Sequence, residues 1–171
     1  MGTDMTGRTI GHYRIDRRLG QGGMGSVYLA TDLHLEREVA LKVMHDHLAR
    51  QPQFKQRFLQ EARAAARLDH PSIVRVNHFG SEGDDLFLDM ELVRGGSLRD
   101  YLRRLYDLRR FIDLQEAVEM VRQIADALDY AHRQGMVHRD IKPDNVILKP
   151  VPAGDGKYKF RAVLTDFGLA K

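Results

Sequence analysis

The chain has 171 residues, 43% apolar and 30% charged, with 27 Lys and Arg against 24 Asp and Glu and no cysteine. Such a composition suits one folded domain or a small two-lobed one and excludes a disordered tail. A net charge of +3, with bases interleaved among acids, argues against a nucleic-acid-binding surface, and the lack of cysteine rules out disulfides and thiol chemistry.

No apolar run approaches the length needed to span a bilayer, and the first twelve residues lack the apolar stretch of a secretory signal, so a cytoplasmic protein is the expectation. Residues 1–12 read as a polar lead-in. Tyr13 to Leu19 and Ser26 to Ala30 are strand-like and flank the glycine-rich segment GQGGMG; Val39 to Val43 is a third strand. A helix is expected over Pro52 to Leu68, where Phe54, Phe58, Glu61, Ala65 and Leu68 recur at steps of three and four. Strands follow at Ile73 to Phe79 and Leu86 to Val93. Beyond the Gly95-Gly96 pair, the expected boundary between two lobes, the pattern turns helical. Ser97 with Asp100 and Asp113 with Glu116 read as capping boxes. The second opens a long helix with Ala117, Val121, Ile124, Leu128 and Ala131 on its apolar side and Gly135 as its stop. The basic stretch Arg99 to Arg110 reads as a solvated helix face and turn.

Several residue sets point to chemistry. Gly20, Gly22 and Gly25 would let backbone amides approach phosphate oxygens. Alone the spacing is weak, and an ordinary glycine-rich hairpin is the other reading. The residues that follow, Val27 to Ala30, are β-type, which argues against a dinucleotide fold, where a helix would begin. Lys42 lies within an apolar run and Glu61 on an apolar helix face. Each is either solvent-facing or half of a semi-buried ion pair whose ammonium could also hold phosphate. In HRDIKPDN, Asp140 can accept or orient a hydroxyl proton, Lys142 can neutralise a phosphoryl group, and Asn145 offers an uncharged oxygen to a hard metal. Asp166, in DFG, supplies a carboxylate. His138 reads better as a packed histidine than as a zinc ligand or base, since no cysteine or compact histidine spacing accompanies it.

In this order, GQGGMGSV, VALK, a helix bearing Glu61, HRDIKPDN and DFG resemble the eukaryotic-type (Hanks-type) serine/threonine protein kinase family over residues 13 to 171, and the form GQGGMGSVYLA is similar to its bacterial members. The resemblance implies an α+β, protein-kinase-like fold. Residues 13–93 would be a complete N-lobe and hinge, a five-stranded antiparallel sheet plus the family's αC helix. Residues 94–171 would be only the first part of a helical C-lobe. It also implies ATP with Mg2+ or Mn2+ as cofactor and a protein substrate carrying Ser or Thr. Leu19, Gly20, Gly22, Gly25, Val27, Ala40, Met90, Glu91, Val93 and Ile147 would surround the nucleotide. Lys42 would hold the α- and β-phosphates and pair with Glu61, Asp140 would be the base, Lys142 would meet the γ-phosphate, and Asn145 and Asp166 would bind the metal. Lysine at 142 resembles the serine/threonine subclass.

Three features depart from the family pattern. Asp89 precedes the gatekeeper position where an apolar residue is usual. Twenty residues separate Asn145 from Asp166, which suggests an extended hairpin turn around Pro150 to Phe160. The sequence ends at DFGLAK, so a truncated domain is expected, with the substrate platform missing and a helical surface left for a partner or further C-lobe helices to cover. A non-catalytic module that binds ATP and Mg2+ is the alternative to a catalyst.

Overall fold

The computed structural model describes residues 4–151 and 159–167. Two compact units emerge. The first holds residues up to Arg67 together with Arg75–Leu92; the second takes Leu68–Val74 and everything from Val93 onward.

The first unit is built on a six-stranded antiparallel sheet: β1 (Thr9–Ile10), β2 (Tyr13–Gln21), β3 (Gly25–Asp32), β4 (Arg37–Met44), β5 (Val76–Glu82) and β6 (Asp85–Glu91), in the order β1-β2-β3-β4-β6-β5. It has one strand more than the five expected, because the first twelve residues are not a loose lead-in. Met5 and Ile10 bury themselves against one face of the sheet, alongside Tyr13, Ile15, Tyr28, Ala30, Val39, Leu41, Val43 and Phe87. Alternation along β2 and β3 sends these side chains to one side; β4, buried from Val39 to Met44, reads as a strand covered on both faces. Burying each large apolar side chain contributes on the order of 1.5–3 kcal/mol.

Asp89, the acid without a sequence rationale, lies on that same face and is 1% exposed. It accepts hydrogen bonds from the Tyr13 hydroxyl (3.1 Å) and from Asn77 Nδ2 (3.1 Å). Burial holds its carboxyl above the usual carboxylate range, against the opposing pull of those two donors.

Between the sheet strands lie α1 (Asp46–Ala49), which the sequence pattern did not suggest, and α2 (Pro52–Ala65). Proline at the first helical position has its φ already set and no N–H to orphan. The buried stripe of α2 is Phe54, Phe58, Ala62 and Ala65; Glu61 stands at its edge, partly buried, and Leu68 falls beyond the helix end. The fourth expected strand starts later than Ile73, because Ile73 and Val74 serve the second unit instead.

In the second unit, Val74 N donates to Leu164 O (2.8 Å) and Leu164 N to Ser72 O (2.9 Å). His70 bonds Asp126 through Nε2 (3.2 Å), and Tyr130 OH accepts from Asp69 N (3.1 Å). A three-stranded antiparallel sheet, β7 (Gly96–Ser97), β8 (Val146–Pro150) and β9 (Phe160–Leu164), packs with α3 (Leu98–Asp107) and α4 (Leu114–Arg133). The chain enters this unit at Val93, so the Gly95-Gly96 pair lies within it rather than at its border. A Cβ on Gly95 would be driven into the Leu148 carbonyl, so the strand approach itself requires glycine there.

Both helix starts carry the expected caps. Ser97 Oγ accepts from Asp100 N (3.0 Å), and Asp113 accepts from Gln115 N (2.9 Å) and Glu116 N (3.1 Å). At the end of α4, Gly135 takes φ +75°, Gly135 N reaches His132 O and Met136 N reaches Ala131 O, a Schellman closure. The buried side of α4 is Met120, Ala127 and Ala131. Val121, expected among them, is instead 65% exposed and lines up with Leu114 and Val118 as a second, open apolar stripe. Of the extended turn, residues 152–158 lie outside the described ones; Val151 N donates to Lys159 O at its base (3.0 Å). Among the described residues, no helix is long and apolar enough to cross a membrane.

Candidate active site

The first unit gathers one group of the expected site residues. Register pairs Val27 with Lys42, Lys42 with Leu88, and Ala40 with Met90, so Val27, Ala40, Lys42 and Met90 share the sheet face opposite Leu41 and Asp89. Lys42 is 6% exposed, which rules out the solvent-edge reading. A buried ammonium at that depth demands an acidic or phosphate partner. Glu61, partly buried on α2, belongs to this same unit. Leu19 sits at the register slip between Arg18 and Gly20, where β2 begins to bend into the loop. Glu91 closes β6, its amide bonded to Arg75 O (2.8 Å).

Between β2 and β3 the glycine-rich segment makes a tight turn: Gly22 N donates to Gly25 O (2.8 Å). At Gly25 a Cβ would collide with the Val43 carbonyl, so this glycine is fixed by strand proximity as well as by any ligand. His45, just past β4, holds the turn twice. Its backbone N donates to Met24 O (2.9 Å) and its ring Nε2 to Gly22 O (3.0 Å). Nothing in the sequence pattern signalled this role, since His45 lies 23 residues beyond Gly22, whose carbonyl it grips.

The second unit gathers the rest. Asp140, Lys142 and Asn145 form one hydrogen-bonded cluster. Lys142 Nζ reaches Asp140 Oδ2 at 2.7 Å, and Asn145 Nδ2 donates both to that oxygen (3.0 Å) and to the Asp140 backbone carbonyl (2.8 Å). Asn145 sits in a 3-10 turn, Pro143–Asn145, that leads directly into β8 and is thereby held by a sheet. The Lys142 ammonium, aided by Asn145, holds the Asp140 carboxyl below the usual carboxylate range, and Asp140 raises the Lys142 ammonium in return. Asp144, between them in sequence, turns away to Arg99 (2.6 Å), a partner the motif did not reveal.

His138 is 1% exposed and donates through Nε2 to Thr165 O (2.8 Å), while its Nδ1 accepts from Asp140 N (3.3 Å). Burial pushes the imidazole below its ordinary value, and the ring packs on Phe167 with centroids 4.5 Å apart. It is a neutral strut tying the Asp140 loop to the segment before Asp166. Thr165 N is also bonded to Asn145 O (2.9 Å). Arg139 and Asp166 both adopt left-handed backbone, at φ 68° and 61°, conformations that cost side-chain-bearing residues energy and persist where surrounding bonds impose them. Val93 is buried at the start of this unit, and Ile147 is partly buried on β8 opposite Val163.

The donor chemistry around Asn145 and Asp166 suits a hard metal ion. With both Asn145 donor bonds aimed at Asp140, the amide is fixed and its oxygen faces elsewhere. That oxygen and the Asp166 carboxylate are hard ligands, and among the described residues no group of three His, Cys, Asp or Glu forms a protein cage. Two protein oxygens suit magnesium, which keeps water and phosphate in its remaining positions.

Residues 13–171 match the model of the protein kinase domain family. The chain is a member of that family. Among curated kinases, serine/threonine-protein kinase PknJ of Mycobacterium tuberculosis is 44% identical over 165 residues, covering 96% of this chain and 26% of PknJ. PknE of the same organism is 44% identical over 164 residues, covering 96% of the chain and 27% of PknE. The solved kinase domain of M. tuberculosis PknI superposes with a TM-score of 0.80 at 35% identity, over 96% of this chain and 63% of that one. The kinase chain described here thus spans about a quarter of the length of those curated relatives and under two thirds of the solved domain.

Proposed function

We propose that this chain carries the ATP-binding and phosphoryl-transfer residues of a serine/threonine protein kinase. The observation that carries the reading is the Asp140–Lys142–Asn145 cluster, in which a cation and an amide are both hydrogen-bonded to the candidate base.

In this reading the glycine-rich turn (Gly20, Gly22, Gly25) covers the phosphates, and Lys42, partnered by Glu61, neutralises the α- and β-phosphates. Leu19, Val27, Ala40 and Ile147 offer apolar surface to adenine; Glu91 and Val93 offer backbone groups beside Met90. Asn145 and Asp166 hold Mg2+ or Mn2+, which when bound screens the phosphate charge. Asp140, ionised at neutral pH, accepts a hydrogen bond from a substrate Ser or Thr hydroxyl and aims its oxygen at the γ-phosphorus. As the new O–P bond forms, the bond to the β–γ bridging oxygen breaks, ADP departs, and the hydroxyl proton passes to Asp140. A carboxylate held below its usual range is a weak base, which suits late proton transfer and a mainly orienting role. Lys142 would then exchange its contact with Asp140 for the γ-phosphate oxygens.

Calorimetry with Mg-ATP on the wild-type chain and on Asp166→Asn tests the binding half. Saturable wild-type binding, weakened at least tenfold in the variant, is expected; equal binding by both would remove Asp166 from the metal site. Phosphate transfer from labelled ATP to a generic Ser/Thr protein, abolished by Asp140→Asn, tests the catalytic half. Binding without transfer would leave the non-catalytic ATP-binding module as the function.

A further inference from the structure

The second unit contains a cavity of about 690 Å3 that none of the residues above uses. Its apolar lining is aromatic and aliphatic, with Tyr101 and Leu105 from α3 and Phe160 from β9 set below Leu108 and Phe111 of the α3–α4 connection. The Tyr101 and Phe160 rings lie 5.8 Å apart. Phe111 is 95% exposed and Leu108 59% exposed, an unusual display of large apolar surface at the lip of a concave site.

The connection that presents these side chains is held in place. Leu108 N bonds Arg104 O (3.1 Å), Arg109 N bonds Tyr106 O (2.9 Å) and Arg110 N bonds Leu105 O (2.8 Å), so the last turn of α3 is closed and the chain leaves it in a defined direction.

Charge gives the site its polarity. Two carboxylates line it, and both are engaged inward. Asp113 caps α4, and Glu116 accepts the Tyr101 hydroxyl (3.0 Å). Three cations line it as well: Arg104, Arg110 and Lys159, the last delivered by the base of the extended turn. Among the described residues, none of these three forms an ion pair. An apolar floor with unpaired cations around it is complementary to a bulky apolar side chain flanked by carboxylates.

We propose that this α3–α4 groove docks a short acidic peptide segment of a partner protein, with one or two large apolar side chains seated between Tyr101, Phe111 and Phe160 and its carboxylates on Arg104, Arg110 and Lys159. The assignment does not depend on phosphoryl transfer, because docking is read as binding.

The test is fluorescence anisotropy on the full chain. The probe is a labelled peptide of glutamates flanking one leucine and one phenylalanine. Its lysine counterpart and an all-glutamate peptide serve as comparison probes. Saturable binding of the first probe alone is expected, weakening as salt rises. The Arg104→Glu/Arg110→Glu variant should bind at least about tenfold more weakly, and Phe111→Ala several-fold more weakly. Arg57→Glu, an exposed change on α2, should bind like wild type. Should the double reversal melt below wild type, Arg104→Gln/Arg110→Gln supplies the same comparison with less charge change. Equal binding of the all-glutamate peptide would reduce the site to a nonspecific basic surface. No saturable binding, preference for the lysine peptide, or full binding by the charge variants would overturn the proposal.

Discussion

The buried carboxylate of Asp89 makes the sharpest stability prediction. It is 1% exposed, with two hydrogen-bond donors, the Tyr13 hydroxyl and Asn77. Removing one of them by Tyr13→Phe leaves one oxygen of a buried carboxylate without its donor, which costs about 1–3 kcal/mol, roughly 2–12 °C in Tm for a chain of this size. The pH dependence has a definite sign. Burial raises the folded-state pKa of Asp89 above its unfolded value, so the folded chain holds this proton more tightly. The stabilisation this gives is fully present below the unfolded pKa and is lost as pH rises through the folded one. Asp89→Asn cannot ionise, and its amide can still donate to the tyrosine oxygen and accept from Asn77. Its Tm minus that of wild type should therefore grow from pH 4 to pH 7, measured by circular dichroism at matched ionic strength. Taking the difference removes contributions of opposite sign from Asp140, Asp144 and Glu119, whose partners hold them low. A difference that shrinks with pH, or a Tyr13→Phe variant as stable as wild type, would refute the account of Asp89 as an acid whose ionisation opposes folding.

Other expectations follow from the same geometry. His45→Ala frees the Gly22 carbonyl and should weaken Mg-ATP binding about two- to fivefold by calorimetry, with His45→Gln, which can restore a side-chain donor, recovering part of the loss. Gly25→Ala should lower Tm markedly, because its methyl meets the Val43 carbonyl, whereas Gly23→Ala, which meets nothing within 4 Å, should leave it within about 1–2 °C. Lys142→Met removes the main influence holding Asp140 low, so a carbon-13 NMR titration of that carboxyl should show its pKa rising toward the ordinary aspartate value.

How much of this was legible beforehand differed by residue. Strands β2, β3, β4 and β6 and helix α4 announced themselves through periodicity and caps, local signals that tertiary contacts reinforced. Lys42 was ambiguous in sequence because depth is a tertiary property; only its placement on a doubly covered strand decided between surface and interior. Asp89 resisted for the same reason. Its donors stand 76 and 12 residues away, and no local pattern links them. Val121 was misplaced because α4 carries two apolar stripes, and hydrophobic spacing alone does not say which one the β-sheet takes. The strand expected from Ile73 failed at its start since the β-type residues there bridge to Leu164 instead.

That last pairing bears on how the polypeptide can be divided. Leu68–Val74 sits early in the sequence, yet its partners Leu164, Asp126 and Tyr130 are made much later. A single cut near residue 93 would therefore yield two pieces, one carrying an orphaned seven-residue stretch and the other missing it. During synthesis Asp69 and His70 can find their partners once α4 has emerged, but Ser72 to Val74 must wait for β9, and closing so long a loop is a slow step. A soluble N-terminal piece would have to be excised at both ends of this stretch and rejoined by a designed link. Co-expressed pieces cut at residue 93 keep the stretch on the earlier piece, and its bonds to Leu164, Asp126 and Tyr130 would be part of what rejoins them.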